Sequence, residues 1–128
     1  MNKNKIVVID DDQDLLASLK LLLESHGYEV NTAINTKIGM EVIKLHNPDL
    51  IVLDIMMDTN LEGYNFLNNF KSDETLNSTP IVMYSNMAKS MGVNIRAAIE
   101  DVENLPKTKF VDKSEELEEL LLAIKELI

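Results

Sequence analysis

The stretch Asp49-Leu50-Ile51-Val52-Leu53-Asp54 sets four apolar residues in an unbroken run between two carboxylates. A continuous apolar run this short reads as a strand buried on both faces, as in a parallel sheet covered by helices. Asp54 is then the first charged group past the carboxyl end of that strand. In open α/β sheets this edge is where ligands bind. Asp54 is therefore the leading candidate for a reactive carboxylate. The other elements are read by what they bring to it.

Toward the N-terminus, Asn47-Pro48 ends a helix expected from about Thr36 to Leu45, with Ile38, Val42 and Leu45 facing inward. Before it, Tyr28 to Ala33 alternates and suits a strand near the sheet edge. Lys5-Ile6-Val7-Val8-Ile9 is a second buried strand, ending on Asp10-Asp11-Asp12. Leu15, Leu16, Leu19, Leu22 and Leu23 recur at helical spacing, and Gly27 sits where a capping glycine belongs.

Toward the C-terminus, residues 55–62 read as a loop, and Gly63 opens a helix with Phe66, Leu67 and Phe70 on one face. Ser72 to Thr79 is polar and turn-rich. Pro80 to Tyr84 is another apolar run, ending on Ser85. A fourth helix is expected from about Lys89 to Val102. Thr108 to Val111 is a short last strand, ending on Asp112-Lys113. A final helix is expected from Ser114 to Ile128, with Ser114 as its N-cap and Leu117, Leu120, Leu121, Ile124 and Ile128 as its core stripe. Five strands alternating with five helices imply right-handed crossovers and a doubly wound parallel α/β sheet.

Composition narrows the function classes. The 128 residues are read as one domain, residues 1–128. A net charge of -10 leaves no basic stripe to displace phosphate counterions, which argues against a nucleic-acid surface. No apolar run reaches the roughly 18 residues of a membrane span. With no cysteine there is neither a disulfide framework nor a thiolate metal site, which fits a cytoplasmic location.

The strand ends carry Asp10-Asp11, Asp54, Ser85 and Lys113, and a parallel sheet gathers them at one edge. Carboxylates about 4 Å apart at an effective dielectric near 20 repel by about 4 kcal/mol per pair. A hard cation relieves this, and Mg²⁺ takes one or two carboxylates while keeping positions for water and phosphate oxygens. A carboxylate can also be a nucleophile toward phosphorus, giving an aspartyl phosphate. Lys113 and Ser85 would then bond the phosphoryl oxygens. The plainer readings are helix-capping acids for Asp10 to Asp14, a surface lysine and a turn hydroxyl. Asp12 stands as the alternative to Asp10 in the metal set. His26 and His46 read as surface or capping residues.

The chain resembles the receiver domain of two-component response regulators over essentially its whole length. The matching pieces are Val7-Val8-Ile9-Asp10-Asp11-Asp12, Leu53-Asp54-Ile55-Met56-Met57, Pro80-Ile81-Val82-Met83-Tyr84-Ser85 and Phe110-Val111-Asp112-Lys113. The resemblance implies a flavodoxin-like (βα)5 sheet of order 2-1-3-4-5. It implies that Asp54 takes a phosphoryl group from a histidine kinase or phosphotransfer protein. It implies Mg²⁺ held by Asp11 directly, by Asp10 through water, by Asp54 and by the backbone carbonyl of Met56. Ser85 would be the switch hydroxyl, Phe110 the switch aromatic and Lys113 the phosphate-pairing lysine. The output would be a downstream protein bound at the fourth helix, last strand and last helix. Separately, Leu122 and Leu127 lie off the main stripe of the last helix, so a monomer or weak dimer is expected.

Several positions depart from the family pattern. Asp58 stands where proline is usual, and Gly63 lies one residue later than usual. Asn86 follows the switch hydroxyl where a small residue is common, and Ser114 follows the lysine where proline is common. Ser85 and Lys113 lie 28 positions apart, a longer interval than is usual. Met56 and Met87 occupy two positions that tune hydrolysis in the family, and neither can orient a water by hydrogen bonding, so a slowly hydrolysed phospho-form is expected. Two rivals remain. A pseudo-receiver would bind partners without phosphorylation. An aspartate-nucleophile phosphohydrolase would want a second acid two residues after Asp54, where this chain has Met56.

Overall fold

The computed structural model describes residues 3–54, 66, 69, 70, 72–74, 78–85 and 107–128. Five strands form one sheet: β1 (Lys5–Ile9), β2 (Glu29–Ala33), β3 (Leu50–Leu53), β4 (Ile81–Ser85) and β5 (Thr108–Asp112). Their order is β2-β1-β3-β4-β5, and every neighbouring pair is parallel. This is the doubly wound arrangement expected from the alternation of strand and helix patterns.

The strands bury both faces, and alternate residues divide between two cores. Val7, Ile9, Ile51, Leu53, Ile81 and Met83 join Ile43 of helix α2 (Thr36–His46) on one face. Phe66 and Phe70, both helical and buried, stack on that side with ring centroids 5.9 Å apart. On the other face Val8, Val52, Val82 and Tyr84 pack against helix α1 (Gln13–Ser25) and the C-terminal helix (Leu117–Leu127). The strands flanked on both sides, β1, β3 and β4, therefore carry almost no polar residue until their last positions.

Helix α1 starts where Asp12, in extended conformation, accepts a hydrogen bond at Oδ1 from the Leu15 N–H (3.1 Å). It ends before Gly27, whose φ of 91° lies in the left-handed region that glycine enters without steric cost. Its buried residues are Leu16, Leu19 and Leu23, while Leu15 is partly buried against the same core. At β2 the Glu29 N–H and the Ala33 carbonyl both bond toward β1, so Val30 and Thr32 direct their backbone groups outward. The Lys20 ammonium crosses from α1 and donates to the Val30 carbonyl (2.8 Å).

Two helices differ from expectation. In α2 the buried residues are Gly39 and Ile43, whereas Ile38 and Leu45 are exposed. The cause is a close approach: a Cβ on Gly39 would sit 2.5 Å from Ile9 Cδ1. That contact sets the helix rotation, and Val42 is only partly buried. The C-terminal helix begins at Leu117, not Ser114. The Ser114 N–H instead donates to Asp112 Oδ1 (2.9 Å), which holds a turn after β5. Leu117, its first residue, and Ile128, its C-cap, are exposed, and Leu120, Ala123 and Ile124 form the buried face. Leu127 packs against the core, leaving Leu122 exposed, so the pair does not form a common outward patch.

Candidate functional site

The sheet ladder runs one residue past β1, β3 and β5 and ties each carboxyl end to a neighbouring strand, β2, β1 and β4 respectively. The Asp54 N–H donates to the Ile9 carbonyl (3.0 Å), and the Lys113 N–H donates to the Ser85 carbonyl (2.9 Å). The Asp10 N–H donates to the Ala33 carbonyl (3.1 Å). Backbone pairing thus delivers Asp10, Asp54, Ser85 and Lys113 to one edge without depending on loop conformation.

Their side chains meet there. Ser85 Oγ donates to Asp54 Oδ1 (2.8 Å). Lys113 Nζ donates to Asp54 Oδ2 (3.0 Å) and to Asp10 Oδ2 (2.7 Å). The second Asp10 oxygen accepts from the Asp12 N–H (2.9 Å). Asp10, Asp54 and Ser85 are the buried polar residues among those described. Burying carboxylates costs free energy unless they are paired and hydrogen-bonded, and this lysine answers two at once.

The electrostatics follow from that arrangement. Burial pushes the Asp10 carboxyl above its ordinary value, and the Asp54 charge adds to the rise; the hydrogen bonds from Lys113 and Asp12 only partly offset it. For Lys113 burial works the other way, against the charged form. The Asp10 hydrogen bond and the two carboxylate charges outweigh burial, so its pKa is raised and the ammonium is retained.

Asp10, Asp11 and Asp54 each place one carboxylate oxygen such that the three lie within 4.8 Å of one another. Asp10 and Asp54 are buried and Asp11 is half-buried. All are hard oxygen donors, the donor type that suits a Mg²⁺ ion. Asp12 is engaged as the cap of α1 and lies outside this cluster.

Phe110 is half-buried beside Met83, its partner in register, and packs against the α2-side core. Met56, Asn86, Met87 and the expected fourth helix lie outside the described residues. One feature was missed from the sequence: the Tyr84 ring stands under the Lys113 ammonium, with Nζ 5.9 Å from the ring centroid. Alternation alone puts Tyr84 on the α1 side. Only the register of β4 against β5 reveals which cation lies over it.

A family model for the response regulator receiver domain matches residues 6–125. The chain belongs to that family. Among curated relatives, the nisin biosynthesis regulatory protein NisR of Lactococcus lactis is 38% identical over 81 residues, covering 63% of this receiver and 34% of that protein. Response regulator ArlR of Staphylococcus saprophyticus is 28% identical over 124 residues, 97% of this receiver and 52% of ArlR. The receiver thus spans from about a third to about half the length of these relatives. The chemotaxis protein CheY4 of Vibrio cholerae superposes with a TM-score of 0.82 at 20% identity, covering 99% of this chain and 100% of that one. A receiver domain protein from Clostridium thermocellum gives 0.80 at 24% identity, over 98% and 94%. Both bear on the fold alone.

Proposed function

We propose that this receiver accepts a phosphoryl group on Asp54 from the phosphohistidine of a histidine kinase or phosphotransfer protein, and that the phosphorylated form changes how a downstream protein binds. The observation that carries the reading is the double engagement of Asp54, with Ser85 on one oxygen and Lys113 on the other. A carboxylate fixed at both oxygens is aimed, and its two donors are already placed for the oxygens of an attached phosphoryl group.

In the transfer, an Asp54 oxygen forms a bond to phosphorus as the donor's P–N bond breaks. The bonding pair leaves with the imidazole nitrogen, which is then protonated. Asp10, Asp11 and Asp54 are the residues suited to hold Mg²⁺, with the Met56 carbonyl as a further ligand; the ion supplies charge neutralisation for the incoming phosphoryl oxygens. Lys113 pairs with a phosphoryl oxygen, and Ser85 donates its hydroxyl to another. Phe110 sits on the neighbouring strand, two positions before Asp112, the pair of Ser85, and therefore on the same face of the sheet as that hydroxyl. The site acts once on its own side chain and does not turn over a substrate, in keeping with a signalling module of the cytoplasm.

Incubation with acetyl phosphate and Mg²⁺, followed by intact mass, tests this. The expected product is a single phosphoryl adduct, absent in Asp54→Asn and absent under chelation. With methionine at positions 56 and 87, neither able to orient an attacking water by hydrogen bonding, the adduct should persist for many minutes in a time course. If the wild type gains no adduct and binds no Mg²⁺, the chain is a partner-binding module that works without phosphorylation.

A further inference from the structure

Tyr84 immediately precedes Ser85 on β4, so the two side chains point to opposite faces of the sheet. Tyr84 is 4% exposed and packs among Val8, Leu16, Val111 and Leu120. The same core face is filled at Val52 and Val82 by valines, so burial alone does not call for an aromatic ring there. What distinguishes position 84 is its place at the strand end. There the ring lies under Lys113 Nζ, at 5.9 Å from its centroid.

The ammonium is therefore held on three sides, by Asp10, by Asp54 and by an aromatic face. The two carboxylates are changeable partners. A cation bound by Asp10 and Asp54 competes for their oxygens, and a phosphoryl group on Asp54 moves the negative charge outward. The ring's electron-rich face does not change in either event. A lysine stem with four rotatable bonds would otherwise gain freedom whenever a carboxylate is withdrawn.

We propose that Tyr84 is a positioning residue for Lys113, its ring holding the ammonium at the sheet edge while the anionic partners of that ammonium exchange. This rests on the reading of Lys113 as the cation that pairs with the phosphoryl group. The ring performs the task; the hydroxyl is dispensable.

The experiment compares the wild type, Tyr84→Phe, Tyr84→Leu and proteins carrying mono- to trifluorinated phenylalanine at position 84. Two quantities are read: the initial rate of Asp54 phosphorylation by acetyl phosphate at saturating Mg²⁺, and the ring-current shift of the Lys113 ε-protons. Tyr84→Phe keeps both. Tyr84→Leu loses the shift and slows the reaction about threefold to tenfold, the size expected of a partly desolvated cation–π contact. Successive fluorines leave ring shape and the urea midpoint in place while lowering the rate stepwise, a trend that packing alone does not produce. Equal rates for Tyr84→Leu and wild type, or for all the fluorinated rings, overturn the proposal. Should the wild type take up no phosphoryl group, the reading of Asp54 fails instead. The Lys113 shift then decides the placement: its presence in wild type and loss in Tyr84→Leu supports the ring contact, and its absence from wild type overturns it.

Discussion

Asp10 carries a charge that the fold does not welcome. It is 2% exposed, and burial drives its carboxyl toward the neutral form despite the Lys113 contact. Its replacement by asparagine keeps the shape and the acceptor for Lys113 and gives up the bond from the Asp12 N–H, while removing the larger cost of desolvating an anion beside Asp54. In metal-free protein Asp10→Asn should therefore raise stability by about 1 kcal/mol, measured by urea unfolding in the presence of a chelator. The same substitution should remove most of the stabilisation that Mg²⁺ gives. A loss of stability in metal-free Asp10→Asn would mean that the ion pair with Lys113 outweighs burial. The acid pair, Asp54 and Ser85 were legible in the sequence because each ends a run of apolar residues, and Lys113 because it closes the Phe110-Val111-Asp112-Lys113 piece at the end of the last strand. Tyr84 was not legible as part of the site, because a buried tyrosine in such a run reads as core.

At the scale of elements, the strands and the bounds of α2 were read almost to the residue, whereas the buried face of α2 and the start of the C-terminal helix were not. A strand covered on both faces announces itself through a continuous apolar run, as in Ile6 to Ile9 and Leu50 to Leu53. Helix α2 has apolar residues around much of its circumference, so spacing leaves its rotation open. The residue that decides it is Gly39, which has no side chain and so leaves no hydrophobic signal. The C-terminal helix starts late because Asp112 takes the Ser114 N–H, a side-chain choice that propensity does not foresee. Gly39→Ala tests the α2 contact. Alanine gains about 1 kcal/mol in helix propensity. Its Cβ, however, would meet Ile9 Cδ1 at 2.5 Å and Cγ1 at 2.9 Å, inside a core where Ile9 is fully buried. Overpacking of this kind costs about 1–3 kcal/mol. The expected net loss is about 1 kcal/mol by urea unfolding, and it should shrink in an Ile9→Val background. An unchanged or improved midpoint would show that α2 can slide outward freely.

For the whole molecule, the site at the sheet edge couples to global stability, because its ligands come from β1 and β3, the centre of the sheet. A cation bound only by the folded chain at a hundred times its dissociation constant adds about 2.7 kcal/mol. The melting temperature should rise steadily with Mg²⁺ concentration, by about 4 °C per kcal/mol for a chain of this size. Asp11→Asn should flatten that response while leaving the metal-free melting temperature close to wild type, since Asp11 is half-buried and lies at the end of β1. A rise of equal size in the variant would place the bound ion elsewhere. Among the described residues no helix is long and apolar enough to cross a membrane. The chain matches only part of the length of its relatives.

The reach of Lys20 across to the Val30 carbonyl has a consequence for life at high protein concentration. β2 borders the sheet, and a bare border strand is a template on which a second chain can crystallise, one backbone bond at a time. A bulky, hydrated cation seated on one of the outward carbonyls breaks that row in the middle of a five-residue strand. A would-be partner strand would have to evict the lysine and strip its water before making its first contacts. A single side chain thereby obstructs edge-to-edge pairing at the β2 border of the sheet.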